Sequence, residues 1–283
     1  MSDVKGSCLC GDIAFTLGGE LSGMSHCHCS MCRKIHGSAF ATYFNAEELR
    51  WDKGEKLAVS YESSVGFKRS FCSQCGSVLP HHSNHHDNWC VAAGLLNDDP
   101  GIRSTEHIFA ESKAPWFDMG EGIKEIHEYG DDDDSPVIIR ADDSGLAGDG
   151  YKGGACACGK VAYRFQNNAE FMMYCHCTRC RKVKGAAHAT NAFVKPEMFE
   201  WTKGEDNLTV YDLPGAVRFG NSFCKDCGSS MPRKAENAPA FNVPAGSLDD
   251  APGCVVKGHI FVGSMAPWYV ITDSLPQHNE MPG

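Results

Sequence analysis

Apolar and polar residues alternate in short runs along this chain, too briefly for long helices. Residues 12–17 alternate loosely and stop at Gly18-Gly19. Residues 38–44, 57–61, 66–71 and 89–94 carry the same β-branched and aromatic content between turn residues, which predicts a strand at each. Helical stretches are predicted to be short. Residues 45–49 read as a capped turn, with Asn45 accepting the early N–H groups and Glu48 three residues on. Residues 195–199 hold the equivalent place, with Pro196 at the first position. Neither a Rossmann fingerprint nor a P-loop is present.

The pattern occurs twice. Gly6-Ser7-Cys8-Leu9-Cys10-Gly11 matches Gly154-Ala155-Cys156-Ala157-Cys158-Gly159 at an offset of 148, and Cys27-His28-Cys29 matches Cys175-His176-Cys177 at the same offset. Trp51 and Trp201 stand 150 apart. Phe71-Cys72, His107-Ile108-Phe109 and Ala114-Pro115-Trp116 recur at an offset of 152. Insertions are therefore confined to the stretch between the middle and last cysteine groups. A repeat of this length predicts two copies of one fold, over residues 1–130 and 150–283. Residues 131–149 between them open with four aspartates and continue with Pro, Ser and Gly, the composition of a solvated linker. Val137-Ile138-Ile139 is its one apolar interruption.

The chain has 283 residues and a formal charge of −10. That balance disfavours a general nucleic-acid binder, which needs a basic surface. No apolar run approaches the roughly 20 residues of a membrane-spanning helix. The first residues do not read as a secretory segment, so the expectation is a cytoplasmic protein with reduced thiols.

Sixteen cysteines change the picture most. Fourteen fall into the repeat and leave Cys90 and Cys254 over. Short spacings such as Cys-x-Cys and Cys-x2-Cys predict soft-metal ligation, with zinc the expected ion. Each copy offers seven thiolates. Cys8 and Cys10 with Cys72 and Cys75 can close one tetrahedron, as can Cys156 and Cys158 with Cys224 and Cys227. That leaves Cys27, Cys29 and Cys32, and Cys175, Cys177 and Cys180. Three thiolates leave a position open to a substrate, and an external thiol suits it. The alternative is a second closed site with a fourth protein ligand. Candidates are His26, His28, His36 and Cys90, of which only His28 persists in the second copy, as His176. Up to four zinc ions are expected, two per copy.

Arg33-Lys34 and Arg181-Lys182 follow the last cysteine of each trio. Their charge could receive a carboxylate of an anionic thiol, or simply serve as a soluble surface. The run 81–86 contains four histidines without a counterpart in the second copy, and an exposed polar loop is the simpler reading. Trp116 and Trp268 are expected to close each core, or to wall a pocket.

Gly-x-Cys-x-Cys-Gly, Cys-His-Cys-x2-Cys-Arg-Lys, Phe-Cys-x2-Cys-Gly-Ser and Ala-Pro-Trp together resemble the glutathione-dependent formaldehyde-activating enzyme family, which includes centromere protein V. The resemblance covers both halves. It implies a mainly β fold, two tandem zinc-stapled small β-sheet domains similar to the Mss4-like fold. It also implies a structural four-cysteine zinc and a catalytic three-cysteine zinc in each half, in agreement with the ligand count. The implied activity is of carbon–sulfur lyase type, joining glutathione as co-substrate to formaldehyde as S-hydroxymethylglutathione. His28 and His176 are the expected proton donors, and Arg33 and Arg181 the expected anchors for glutathione. The expected partners are a small thiol and an aldehyde or their adduct, and the tandem halves are expected to form an intramolecular pseudo-dimer. The competing readings are a non-catalytic zinc-stabilised scaffold and a redox or metal-buffer protein working through Cys-x2-Cys.

Overall fold

The computed structural model describes residues 3–82, 87–127 and 150–282. The expected linker 131–149, with Val137-Ile138-Ile139, and His85 and His86 of the histidine run lie outside them. Within them the chain is mainly β. Among the described residues no helix is long and apolar enough to cross a membrane.

In the first half, Ala14–Cys27 and Ala41–Lys53 form a long antiparallel ribbon. Val4–Ser7 pairs with its first strand, as does Glu106–Ile108, the latter in parallel, while Trp89–Ala92 pairs with the second. A smaller sheet, Ala58–Ser64, Phe67–Cys72 and Val78–Leu79, carries the Cys72–Cys75 turn. The expected strands are present, and two are longer than the alternation suggested.

The capped turn expected at 45–49 does not form. Those residues lie inside Ala41–Lys53, where Asn45 pairs with Ser22 on one side and Cys90 on the other. Two paired neighbours satisfy more backbone groups than a local cap can. In the second half the same ribbon is broken into Ala162–Gln166 with Phe199–Lys203 and Phe171–Cys175 with Ala189–Val194. Pro196 lacks the N–H that a ladder needs, and it starts the 3-10 turn Pro196–Met198. Asn167, just past the end of Ala162–Gln166, turns at φ 63°. The turn expected at 195–199 is therefore present.

Two short helices complete the frame, α1 (Ser30–His36) and α2 (Thr178–Lys184). Each also contacts the opposite half. α1 packs on the 3-10 turn Ala245–Ser247 of the second half, and α2 packs on Ala93–Leu95 of the first. The approach is close: a Cβ on Gly246 would meet the Arg33 carbonyl oxygen at 2.3 Å, and one on Gly94 would meet that of Arg181 at 2.5 Å. Lys34 Nζ reaches Asp249 at 2.6 Å and the Ala155 carbonyl at 3.0 Å. Lys182 Nζ reaches Asn97 Oδ1 at 2.7 Å and both Ser7 Oγ and the Leu95 carbonyl at 2.9 Å. These lysines are inter-half clamps, neither free surface charges nor ligand anchors. One hydrophobic core runs through both halves, including Phe40 and Phe117 from the first and Tyr174 and Trp268 from the second. The halves thus pack reciprocally.

Candidate metal centres

The cysteines assemble as the ligand count predicted. Cys8, Cys10, Cys72 and Cys75 lie with all their Sγ atoms within 4.8 Å of one another, and so do Cys156, Cys158, Cys224 and Cys227. The two trios, Cys27 with Cys29 and Cys32 and Cys175 with Cys177 and Cys180, close to the same limit. A Zn–S bond of about 2.3 Å implies a tetrahedral S···S edge of about 3.8 Å. Cys10 to Cys72 is 3.9 Å and Cys158 to Cys224 is 3.7 Å, so the four-thiol sets fit such an ion. Cysteines 8 and 10 at 3.3 Å are too far apart for a disulfide.

Donors face the sulfurs. The backbone N–H of Ile13 reaches Cys8 Sγ, and that of Val161 reaches Cys156 Sγ, both at 3.3 Å. Ser77 Oγ lies 3.3 Å from Cys75 Sγ, and Ser229 Oγ accepts from the Cys227 thiol at 3.2 Å. The two backbone N–H contacts stabilise thiolate charge. Hydrogen bonds from neighbouring thiols, Cys10 first, hold Cys75 well below the usual thiol range, and those led by Cys158 do the same for Cys156.

Each trio is built by the end of one strand and the start of one helix. Cys27 and Cys175 end their strands. Cys29 and Cys177 are helix N-caps, each with its sulfur accepting a backbone N–H 3.4 Å away, from Cys32 and Cys180 respectively. Gly37 and Gly185 then stop the helices in the left-handed conformation at φ 60° and 61°. Within the trios, hydrogen bonds from partner thiols, Cys27 foremost, push Cys32 well down, and those led by Cys175 push Cys177 down to about 3.

The fourth-ligand candidates point elsewhere. His26 Nδ1 bonds Thr42 Oγ1 at 3.0 Å, and His36 Nε2 bonds the Tyr43 hydroxyl at 2.7 Å. Cys90 sits outside the trio, its thiol pushed up to about 12 by burial. His28, fully buried, bonds His107 Nδ1 through Nε2 at 2.7 Å. His176 bonds His259 Nδ1 in the same way at 2.8 Å. Burial first, then the paired histidine, holds both His28 and His176 down at about 3, so both rings are neutral near pH 7. Among the described residues, no fourth His, Cys, Asp or Glu ligand atom joins either trio.

Arg33 Nε donates to the His28 carbonyl at 3.3 Å. Arg181 is buried, and its Nε has no hydrogen-bond partner among the described residues. Sequence reasoning missed Arg69, which is buried within electrostatic reach of the first trio. Burial opposes its charge, but the thiols of Cys32, Cys29 and Cys27 with Tyr43 outweigh that and hold it charged. Asn221 replaces it in the second half and turns away to the Cys75 carbonyl at 3.0 Å. His107 and His259 were also missed as partners, although His-Ile-Phe recurs in both copies. Phe109 and Phe261, the last residues of that motif, both sit at positive φ, 55° and 58°, an uncommon state for an aromatic residue.

Two clefts are each lined by residues of both halves. His26 and His107 line the first with Trp268 and Tyr269. Tyr174 and Cys254 line the second with Pro115 and Trp116. The closing tryptophans therefore wall clefts as well as cores. His81 is buried between Tyr43 and Phe67 with its ring centroid within 5.9 Å of both, which corrects the exposed loop expected at that end of the run. His82 is exposed and stacks edge-on to Trp89.

Two repeated β modules, each with a four-thiol and a three-thiol cluster, define a tandem cysteine-cluster protein suited to soft metal ions. The family model described as glutathione-dependent formaldehyde-activating enzyme matches residues 3–112 and again 151–264. The chain belongs to that family, in two copies. Among solved structures, it resembles a crystal structure of a Rhodobacter sphaeroides protein, with 24% identity over 35% of this chain and 89% of that one and a TM-score of 0.30.

Proposed function

We propose that this protein joins a small thiol to an aldehyde at its two trio centres, and that the pair is glutathione and formaldehyde, giving S-hydroxymethylglutathione. The observation that carries the reading is the trio itself: three buried or half-buried thiols gathered within 4.8 Å, with no fourth ligand from the described residues. Family membership supports the same chemistry. Zinc is the proposed ion at all four clusters, stapling each unit of an Mss4-like fold through its four thiols. The units span 1–130 and 150–283 about the linker 131–149, in a cytoplasmic protein.

Bound at a trio, zinc would supply an open position that keeps an incoming thiol as thiolate. The chain's own residues do the rest. The thiol sulfur attacks the aldehyde carbon, a C–S bond forms, and the carbonyl π electrons move to oxygen, which takes up the proton the thiol gave. His28 and His176, neutral and fixed by His107 and His259, orient that exchange as hydrogen-bonding groups rather than as imidazolium acids. Arg33 and Arg181 hold a substrate carboxylate, and Arg69 offsets the negative charge of the first trio alone.

The test is an assay of S-hydroxymethylglutathione formation with Cys29→Ala, Cys177→Ala and the double variant, with folding checked by circular dichroism. Each single variant should lose the share of one centre, and the double variant should fall to the uncatalysed rate. Full activity in the folded double variant would refute the reading.

A further inference from the structure

The two halves carry the same histidine pair but finish it differently. In the second half, His259 Nε2 meets Asp273 Oδ1 at 3.0 Å and Oδ2 at 3.1 Å, and Asp273 Oδ1 also accepts from the Leu275 N–H at 2.9 Å. The carboxylate fixes the proton on His259 Nε2, which leaves Nδ1 to accept from His176. In the first half, Lys124–Ile126 runs parallel to Glu106–Ile108 with Glu125 opposite His107, as Gln277 stands opposite His259. Counting back four residues from each places Glu121 in register with Asp273. Glu121 is exposed and lines the other cleft.

His107 Nε2 is accordingly buried without a hydrogen-bond partner among the described residues, in a residue only 3% exposed. An unpaired buried nitrogen is costly. His107 also lines the first cleft, a cavity of about 190 Å³, so a ligand held there lies against this ring. Phe40, Phe117, Trp268 and Tyr269 supply apolar walls to the same cavity. We propose that this cavity binds a small carboxylate, whose oxygen takes on His107 Nε2 the place that Asp273 holds on His259. The second half thus shows within one chain which group this position accepts.

The walls set the ligand class. A cavity of this size is below the range of drug-sized pockets, so the remainder of the ligand is a short aliphatic or single-ring apolar group. Arg103 stands at the rim, but Asp99 holds its guanidinium at 2.8 Å through two nitrogens. Binding therefore rests on the His107 hydrogen bond and apolar contact rather than on a free cation, and the exposed Glu125 opposite His107 weakens it. The ligand is therefore a free monocarboxylic acid, because the charged backbone of a tripeptide thiol does not suit these walls.

The full zinc-loaded chain should be titrated calorimetrically with propionate, with benzoate, and with S-methylglutathione, whose blocked sulfur cannot engage a trio. Propionamide serves as the uncharged control. We expect one saturable carboxylate site per chain, no saturation by propionamide, and roughly ten-fold weaker binding in His107→Phe, restored in part by His107→Gln. Saturation by propionate or benzoate identifies a free acid as the ligand. Saturation by S-methylglutathione alone would place the carboxylate at Arg33 and Arg181 instead and overturn the proposal. The 15N shift of His107 Nε2 in the wild-type chain gives a readout that does not depend on the variants folding, and it should move on saturation. Absence of saturable binding, affinity unchanged in His107→Phe, or an Nε2 shift that ignores the ligand would overturn the proposal and leave water on that nitrogen.

Discussion

At the scale of single residues, the two trios have equal ligands and unequal surroundings. The first has a buried Arg69 beside its thiols, and the second has Asn221 facing away. An anionic three-thiolate centre is stabilised by a nearby cation, more so in a low-dielectric interior. Arg69→Gln should therefore weaken metal retention at the first trio and leave the second unchanged. Metal release to a competing chelator should become biphasic, with one ion per chain leaving roughly ten-fold faster or more. Uniform release would contradict a local electrostatic role. The cysteine clusters were legible in the sequence because short spacings and the repeat group their members. Arg69 was not, because it joins the trio only through tertiary packing of the strand Phe67–Cys72. His107 and His259 were visible as a repeated motif, but their pairing with His28 and His176 depends on the parallel register of Glu106–Ile108 and Val256–Ile260.

At the scale of elements, α1 and α2 each serve two purposes. Their N-termini carry the second and third ligands of a trio, and their sides lie on a 3-10 turn of the opposite half. A methyl group on Gly94 or Gly246 would overlap the backbone of the facing helix. Gly94→Ala or Gly246→Ala should destabilise by about 1–3 kcal/mol, read as a lower Tm. The same shift should disturb the trio on the facing helix, lowering its metal occupancy before that of the four-thiol clusters. Neither helix was expected from sequence. Each is seven residues long, and its cap is a cysteine rather than a preferred capping residue. The broken ribbon of the second half was legible at Pro196. The unbroken ribbon of the first was not, because Asn45 has good local capping chemistry that two strand partners override.

For the whole molecule, the four-thiol clusters tie chain segments more than sixty residues apart, Cys10 to Cys72 and Cys158 to Cys224. Without a metal, closing such loops is an entropic cost. Cys72→Ser or Cys224→Ser should release one ion per chain and lower Tm by roughly 10 °C or more. Acid acts on the same frame through its histidines. Burial holds His26 and His188 well below their ordinary value, His36 at about 4 and His81 at about 3. Below about pH 6.5 the unfolded chain binds protons that the native chain refuses, so stability falls as pH drops. Each such histidine contributes a slope of up to about 1.4 kcal/mol per pH unit until its folded value is reached. Tm measured from pH 8 to pH 5 should decline below 6.5, and a flat profile would contradict buried neutral histidines. The central claim, that each half holds one closed and one open zinc, is tested most directly by a crystal structure soaked with glutathione and phased at the zinc absorption edge. Four zinc ions per chain are expected, with a glutathione sulfur completing the coordination of the two trio ions. Two ions, or four ions fully enclosed by protein ligands, would contradict it.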